Sequence, residues 1–314
     1  MTAAVSSILF EGTHYAVRRV LSSAETRGPV VVAFPHAGGP TWNASVAFGE
    51  MFLKSRGIDG YFILNREVDW FQKREFFDAM AAIRADVPAA RPIVAYGASM
   101  GGYGALLASR SLEAARVLSV VPQFSIDRSV VPWERRWAAQ AGQIGGFIHD
   151  VEAEIYDGAE IYSLHDPRNV DAQQMALFSE RPNWTQLRVP YCGHTPLVVL
   201  AQAGLLSGFV LAAINGDFDA QGWARRFLAA RRETIAYWRI LATHAARRNR
   251  FEIAQHAVER MKLIGAKPQE IEIAMQMVQR RQQSVIAQTE RLATIAKEKE
   301  AARQARLQRA GGAR

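Results

Sequence analysis

The sequence predicts an α/β protein in which a mostly parallel sheet carries helices on both faces. Short apolar runs rich in strand-forming residues, at 29–34, 60–65 and 93–96, alternate with segments of helical character. The run at 29–34 is apolar without alternation, which is typical of a strand buried on both faces. A glycine-rich turn at 97–101 joins one of these strands to a helix, as expected in a βαβ arrangement.

The remaining elements complete this pattern. Residues 6–20 alternate on either side of Glu11 and Gly12 and predict an edge hairpin. Helices are expected at 42–55, 74–85, from 105 and at 171–178, and further strands at 116–121, 160–165 and 184–189. Residues 127–158 lose clear periodicity and predict a small cap, whereas 195–213 predict one apolar helix packed on the sheet.

Composition limits the classes of function. The 314 residues are 49% hydrophobic and 22% charged, and their single cysteine, Cys192, allows no disulfide within one chain. We expect a soluble, cytoplasmic protein, since no segment reaches the apolar length of a membrane span and the first ten residues lack a signal-peptide pattern.

The positive charge is concentrated at the C-terminal end of the sequence. From Arg280 onward there are nine Lys or Arg and three Glu, so this tail holds +6 of the net charge of +8. The rest is nearly neutral, and nucleic-acid binding is not expected.

The turn at 97–101 is the main candidate for a reactive site. It reads Gly97-Ala98-Ser99-Met100-Gly101. A serine on a strand-to-helix turn is held in a strained conformation with its Oγ exposed, and flanking glycines lack the Cβ atoms that would collide there. The pattern is that of a nucleophile elbow, and it makes Ser99 the candidate nucleophile.

The order of the chemical groups along the chain points to a family. Ser99, an acidic residue after a late strand and a Gly-His pair after the last strand follow the chain order of the α/β-hydrolases. Residues 30–215 resemble an α/β-hydrolase domain, and 96–106 resemble the elbow region of bacterial serine esterases. Residues 34–39 also resemble the first-strand loop of type II thioesterases. The resemblance implies a serine hydrolase that needs no metal and no cofactor.

A serine hydroxyl needs a base to take its proton, and an imidazole has a suitable pKa. Of the seven histidines, His194 alone follows both the last predicted strand and a glycine, and we assign it as the general base. The carboxylate that orients the imidazole is predicted to be Asp166, directly after the strand at 160–165. Asp171, which could instead cap the next helix, stays a second candidate, as do Asp157 and Asp127.

Negative charge on the reacting carbonyl oxygen needs preorganised donors. The resemblance implies the backbone N–H groups of Met100, after the nucleophile, and of Ala37, in the loop after the first parallel strand. Contacts to the substrate are predicted for four side chains at the carboxyl end of the sheet and in the cap: His36, Trp70, Trp133 and Arg136.

The C-terminal part has a different composition. We predict a hydrolase domain at 1–215, a helical appendage at 216–282 and a basic tail at 283–314, helical at first and disordered over 310–314. The appendage is similar to one tetratricopeptide repeat, which cannot bury its own faces. We therefore expect it to dock on the hydrolase domain, on the helix at 270–282, or on a partner protein.

These observations favour a serine hydrolase that cleaves an ester or a thioester through an acyl-enzyme, with a small-molecule or carrier-linked acyl substrate. Two further functions stay open at this point. One is a thioesterase or acyltransferase acting on a carrier-bound or glycan-linked acyl group. The other is a non-catalytic interaction protein built on a hydrolase-like domain.

Overall fold

The computed structural model describes residues 5–22, 28–39 and 41–311, with side chains as far as residue 304. The chain forms two compact units, the first ending at Arg231 and the second beginning at Arg232.

The first unit is built on one sheet. Its strands, in the described chain, are β1 (Val5–Glu11), β2 (Tyr15–Leu21), β3 (Val30–Phe34), β4 (Gly60–Asn65), β5 (Ile93–Ala98), β6 (Arg116–Val120), β7 (Glu160–His165) and β8 (Trp184–Arg188). They lie in the order β1-β2-β4-β3-β5-β6-β7-β8. The hairpin partners β1 and β2 are antiparallel, and so are β2 and β4. All pairs from β4 to β8 are parallel.

Helices of the first unit connect and follow the strands. Within the described residues they are α1 (Glu50–Ser55), α2 (Glu75–Asp86), α3 (Met100–Leu107), α4 (Ala138–Ile144), α5 (Val151–Glu154), α6 (Asp171–Met175), α7 (Pro196–Gln202), α8 (Leu206–Asn215) and α9 (Ala220–Ala230). Every residue of β3 and β4 is buried, so both faces of the sheet are covered there. One face contributes Val30, Val32 and Phe34 to a core that includes side chains of α2 and α3. The predicted α/β-hydrolase fold, a mostly parallel sheet with covering helices, is confirmed.

Two predicted helices differ from the structure because of glycines in the left-handed region. The helix expected at 42–55 is reduced to α1, which begins after Gly49 with φ 77°. The helix expected at 195–213 is divided into α7 and α8 next to Gly204 with φ 68°. No single helix in the described chain is long and apolar enough to cross a membrane; α7 and α8 meet the length and composition only together, across a bend of 114°.

The boundary between the units lies at residue 231 rather than at the predicted residue 215. Helix α9 belongs to the first unit because aromatic side chains tie it there. Phe218 contacts Tyr162 of β7 and Phe209 of α8, and Trp223 contacts Phe209 as well. The composition changes near residue 216, but this aromatic packing continues to Phe227.

The second unit contains α10 (Ile235–Arg247), α11 (Phe251–Leu263) and α12 (Pro268–Gly311). The two helices of the expected hairpin are present, and the buried alanines Ala242, Ala246, Ala254 and Ala257 let α10 and α11 approach closely. The helix expected at 270–282 and the helical first part of the tail form one continuous helix, which extends through residues 310 and 311. The rest of the end predicted to be disordered, 312–314, lies outside the described residues.

Candidate active site

Ser99 lies on a strained turn between β5 and α3. Its backbone has φ 57° and ψ −121°, a conformation that side chains other than glycine rarely adopt. A Cβ atom on Gly97 would lie 2.1 Å from the carbonyl oxygen of Gly101, and one on Gly101 would lie 2.3 Å from that of Phe34. Both glycines are therefore required by close backbone contacts, as expected for a nucleophile elbow.

The side chains of Ser99, His194 and Asp171 form a continuous hydrogen-bonded row. Ser99 Oγ lies 2.9 Å from His194 Nε2, and His194 Nδ1 lies 2.9 Å from Asp171 Oδ2. Asp171 is the first residue of α6, after β7, and is fully buried. His194 follows β8 and Gly193, whose φ of 56° bends the loop back toward the elbow.

The carboxylate facing His194 is thus Asp171 and not Asp166, which the sequence pattern favoured. Asp166 is occupied by its own loop and the next one, because its two oxygens accept from the N–H groups of Arg168 and Gly193 at 2.9 and 2.8 Å. It holds the loop one residue before His194. Asp157 and Asp127 are engaged elsewhere, since Asp157 is 82% exposed beside Arg181 and Asp127 caps the local turn at Ser129.

Asp171 has a second charged neighbour from the cap. Its Oδ1 accepts from Arg136 Nη1 at 2.7 Å, and its Oδ2 accepts from Asn169 Nδ2 at 3.2 Å. Arg136 also forms a two-pronged ion pair with the buried carboxylate of Glu134, at 2.6 and 3.0 Å. Arg136, predicted to contact substrate, is instead bound to these two carboxylates.

The pKa directions agree with an ionised pair. Burial acts to raise the pKa of Glu134, but the hydrogen bonds and charge of Arg136 outweigh it and bring this pKa below its usual value. Burial acts to lower the pKa of Arg136, but the bonds to Glu134 and the charge of Asp171 raise it above its usual value. Both groups are therefore charged at neutral pH.

Gln123 is a further polar contact of the serine that the sequence pattern did not indicate. It is fully buried just beyond β6, with Nε2 3.4 Å from Ser99 Oγ and 3.1 Å from the carbonyl oxygen of Val121. Its Oε1 accepts from Trp70 Nε1 at 3.3 Å. Val121 and Trp70 both have positive φ, 44° and 50°, so strained backbone surrounds this contact as well as the elbow. The position of Gln123 after a parallel strand was the one signal for it.

The two backbone amides expected to bind an oxyanion donate no hydrogen bond within the described chain. In the part of the chain that the structure describes, neither the Ala37 nor the Met100 N–H donates to another group. Met100 opens α3, where the first N–H groups of a helix have no partner within the helix. The Ala37 loop is tightened by a bond from Gly38 N to the carbonyl oxygen of His36 at 2.8 Å.

A cavity of about 360 Å³ opens beside Ser99. Its lining is mostly apolar, and among the described residues it includes no lysine, arginine or carboxylate: it consists of His36, Ala37, Gly38, Phe48, Ala98, Ser99, Val120, Val121, Trp137, His194, Thr195, Pro196, Leu197 and Val198. Ser99 and His194 of the hydrogen-bonded row therefore border a largely apolar cavity.

The remaining predicted substrate contacts are distributed differently. His36 lines the cavity beside Ser99. Trp70 is almost fully buried and lines a neighbouring cavity of about 350 Å³, against the Trp137 ring at 5.1 Å. Trp133 lines neither cavity. Trp137, a further tryptophan of the cap segment, lines the cavity beside Ser99 and has its ring centre 6.0 Å from that of His194.

The described residues offer neither a metal centre nor a second nucleophile at this site. Over that part of the chain, no group of three or more His, Cys, Asp or Glu is arranged to hold a metal ion. Cys192, two residues before His194, is buried, and burial raises the pKa of its thiol well above the usual value. Its environment is that of a packing residue rather than a nucleophile.

Comparison with known proteins yields structural similarity without sequence relatives. No protein-family model matches the sequence, and neither does any curated protein. Est1E from Butyrivibrio proteoclasticus is 13% identical with a TM-score of 0.47, over 68% of this chain and 99% of its own. An esterase from Pyrococcus furiosus, Pf2001, is 13% identical with a TM-score of 0.46, over 67% and 90%. The capsule O-acetyltransferase of Neisseria meningitidis serogroup A is 11% identical with a TM-score of 0.42, over 59% and 86%.

These similarities are too distant to assign an activity. The fold rests on the chain itself: a mostly parallel eight-stranded sheet, the elbow between β5 and α3, and the chain order of serine, acid and histidine after successive strands. The protein has the α/β-hydrolase fold.

Proposed function

We propose that the protein is a serine esterase that cleaves an uncharged ester through an acyl-enzyme on Ser99. The observation that carries the proposal is the row from Ser99 Oγ to His194 Nε2 and from His194 Nδ1 to Asp171, with both contacts at 2.9 Å. This is the geometry in which a base takes the serine proton while a buried carboxylate holds the imidazole tautomer. The strained elbow supports the same role for Ser99.

In the first half-reaction Ser99 Oγ attacks the ester carbonyl carbon as its proton passes to His194 Nε2. Asp171 accepts the hydrogen bond from Nδ1–H and stabilises the imidazolium that forms. The unengaged N–H groups of Met100 and Ala37 are the candidates for binding the negative carbonyl oxygen. His194 then gives its proton to the leaving alcohol oxygen, and the C–O bond breaks to leave the acyl group on Ser99.

In the second half-reaction water takes the place of the alcohol. His194 removes a proton from the water as its oxygen attacks the acyl carbon, and returns that proton to Ser99 Oγ as the acid is released. Ser99 is thereby regenerated, and the net reaction is the addition of water across one ester bond.

The cavity supports an apolar acyl group as substrate. Its volume of about 360 Å³ is at the lower end for ligand sites, and its lining of Phe48, Leu197 and Val198 with neighbouring apolar groups offers little to an ionised acyl chain. Burial of each methylene contributes about 0.8 kcal/mol, so binding is expected to improve with acyl length until the cavity is full.

Labelling with a fluorophosphonate tests the proposal directly. We expect stoichiometric modification of Ser99, no modification of Ser99→Ala and strongly reduced modification of His194→Ala, measured by intact mass and peptide mapping. Hydrolysis of a series of p-nitrophenyl esters from acetate to decanoate then measures the acyl preference.

Fluorophosphonate labelling, together with assays on a thioester and with an added alcohol as acceptor, distinguishes two competing functions. Thioester cleavage or acyl transfer predicts labelling of Ser99 together with faster turnover of thioesters, or product formed on an added alcohol. A non-catalytic interaction protein predicts a folded chain that no fluorophosphonate labels, and this result would overturn the proposal.

A further inference from the structure

Three charged side chains form a cluster on the Nδ1 side of the His194 imidazole, away from Ser99. Asp171 is fully buried, Glu134 is 1% exposed, and Arg136 lies between them with its guanidinium 2.7 Å from Asp171 and 2.6 Å from Glu134. Charges are rarely buried in proteins unless they are paired, so the two buried carboxylates depend on Arg136, whose side chain is 28% exposed. The cluster as a whole carries a charge of −1.

We propose that Arg136 and Glu134 form a positioning pair that sets both the orientation and the effective charge of Asp171 during catalysis. Arg136 by itself would neutralise the carboxylate that must stabilise the imidazolium. Glu134 offsets the charge of Arg136, so the imidazole still faces a net charge of −1. This inference rests on the proposed esterase function.

The geometry shows why the guanidinium must be held in place. Arg136 Nη1 lies 3.3 Å from His194 Nδ1, which is the nitrogen that donates to Asp171. An arginine can only donate, so a guanidinium that moved closer to Nδ1 would compete with Asp171 for this nitrogen and favour the tautomer that has no lone pair at Nε2 for the serine proton. The two-pronged bond to Glu134 and the 2.7 Å bond to Asp171 hold the guanidinium where its contact to Nδ1, at 3.3 Å, stays longer than the 2.9 Å contact between Nδ1 and Asp171.

Glu134 is itself fixed from the helix that begins with Asp171. Gln174 of α6 donates to Glu134 at 3.2 Å, and the same side chain accepts from the N–H groups of Phe124 and Ser125. Trp137, one residue after Arg136, lines the substrate cavity. The cap segment that shapes the cavity therefore also holds the acid of the triad.

The test measures the rate constant for fluorophosphonate labelling of Ser99 in the full chain. We expect Glu134→Gln to be roughly 2- to 100-fold slower than wild type, the range that corresponds to the coupling between residues of one hydrogen-bond and salt-bridge network. In this variant Arg136 faces Asp171 without compensation. The double variant Glu134→Gln with Arg136→Gln restores a charge of −1, and we expect it to label several-fold faster than Glu134→Gln alone.

The rescue separates a charge effect from a structural one. If the pair only stabilises the fold, the double variant will label as slowly as the slower single variant or more slowly, and this result overturns the inference. Arg135→Gln is the matched control, because Arg135 is an exposed cap arginine with no side-chain bond to a described residue. Its labelling rate is expected to equal that of wild type.

A second comparison decides the matter if Glu134→Gln does not fold, as judged by circular dichroism. Arg136→Gln is expected to label slowly and Arg136→Lys to recover part of the rate; wild-type rates in both would overturn the inference. The proposed function fails separately, through absence of labelling in the wild-type protein itself. If the wild-type protein labels normally and the Glu134 and Arg136 variants label at the same rate, the positioning pair is contradicted and the proposed function is not.

Discussion

Replacing the two carboxylates near His194 one at a time measures their separate roles. Asp171→Asn keeps the size of the side chain but removes the charge that faces the imidazolium, and its amide can hold the imidazole in the wrong tautomer. In a serine triad this substitution lowers kcat about 10⁴-fold, which corresponds to about 5.5 kcal/mol at roughly 1.4 kcal/mol for each factor of ten. We expect a loss of that order.

Asp166→Asn should have a different result. Its two oxygens accept from the N–H groups of Arg168 and Gly193, and an asparagine keeps one acceptor oxygen. The loss of one charge-assisted bond costs about 1.5–3 kcal/mol of stability. Because the His194 loop stays tied on one side, we expect kcat to fall by no more than about tenfold.

The assay is the hydrolysis of a saturating p-nitrophenyl ester, with the free energy of unfolding measured by urea denaturation for the same two variants. Asp171→Asn is expected to lose activity far beyond its loss of stability, and Asp166→Asn the reverse. A larger fall in kcat for Asp166→Asn than for Asp171→Asn would refute the assignment of the acid.

Three further predictions concern the elbow, the cavity and a buried imidazole. Gly101→Ala places a Cβ 2.3 Å from a backbone oxygen and should cost more than about 3 kcal/mol in thermal unfolding, whereas Gly146→Ala, with open space, should be near neutral. Val198→Trp should abolish hydrolysis of long acyl esters but not of acetate, and Val130→Trp, in the neighbouring cavity, should leave this preference unchanged. Burial and then the charge of Arg188 lower the pKa of His165, so the unfolded chain binds the extra proton and stability falls as pH drops below about 6.5; His165→Gln should flatten this slope in urea titrations at pH 7 and 5.

Much of the fold could be predicted because it depends on local patterns. Strands β3 to β8 keep their predicted positions within a residue or two. For β3, β4 and β5 the reason is that burial on both faces requires nearly continuous apolar sequence. The elbow was predictable for a similar reason: Gly97 and Gly101 are required by contacts within a few residues of Ser99 or with the adjacent strand. Gly49 and Gly204 show the limit, because their left-handed conformations interrupt segments whose composition alone is suitable for one helix.

The polar surroundings of the site could not be predicted in this way. The bond from Arg136 to Asp171 spans 35 residues and that from Gln123 to Ser99 spans 24, and neither pair has a spacing that marks it in the chain. Arg136 was recognised as a cap residue, but its partner was not, because a basic side chain in a cap also suits a substrate anion. The bonds of Arg136 to Asp171 and to the buried Glu134 give it a different role, and they depend on how the cap packs.

The choice between Asp166 and Asp171 shows what kind of information was missing. Both follow β7 within a few residues, so chain order permits either. The deciding condition is that one carboxylate oxygen reaches Nδ1 while Nε2 of the same ring reaches Ser99 Oγ, which depends on where the loop between β7 and α6 turns. Asp166 turns that loop by accepting from Arg168, and it also accepts from Gly193. Asp166, the residue expected to be the acid, therefore has a positioning role, because its bonds hold the two loops from which Asp171 and His194 meet.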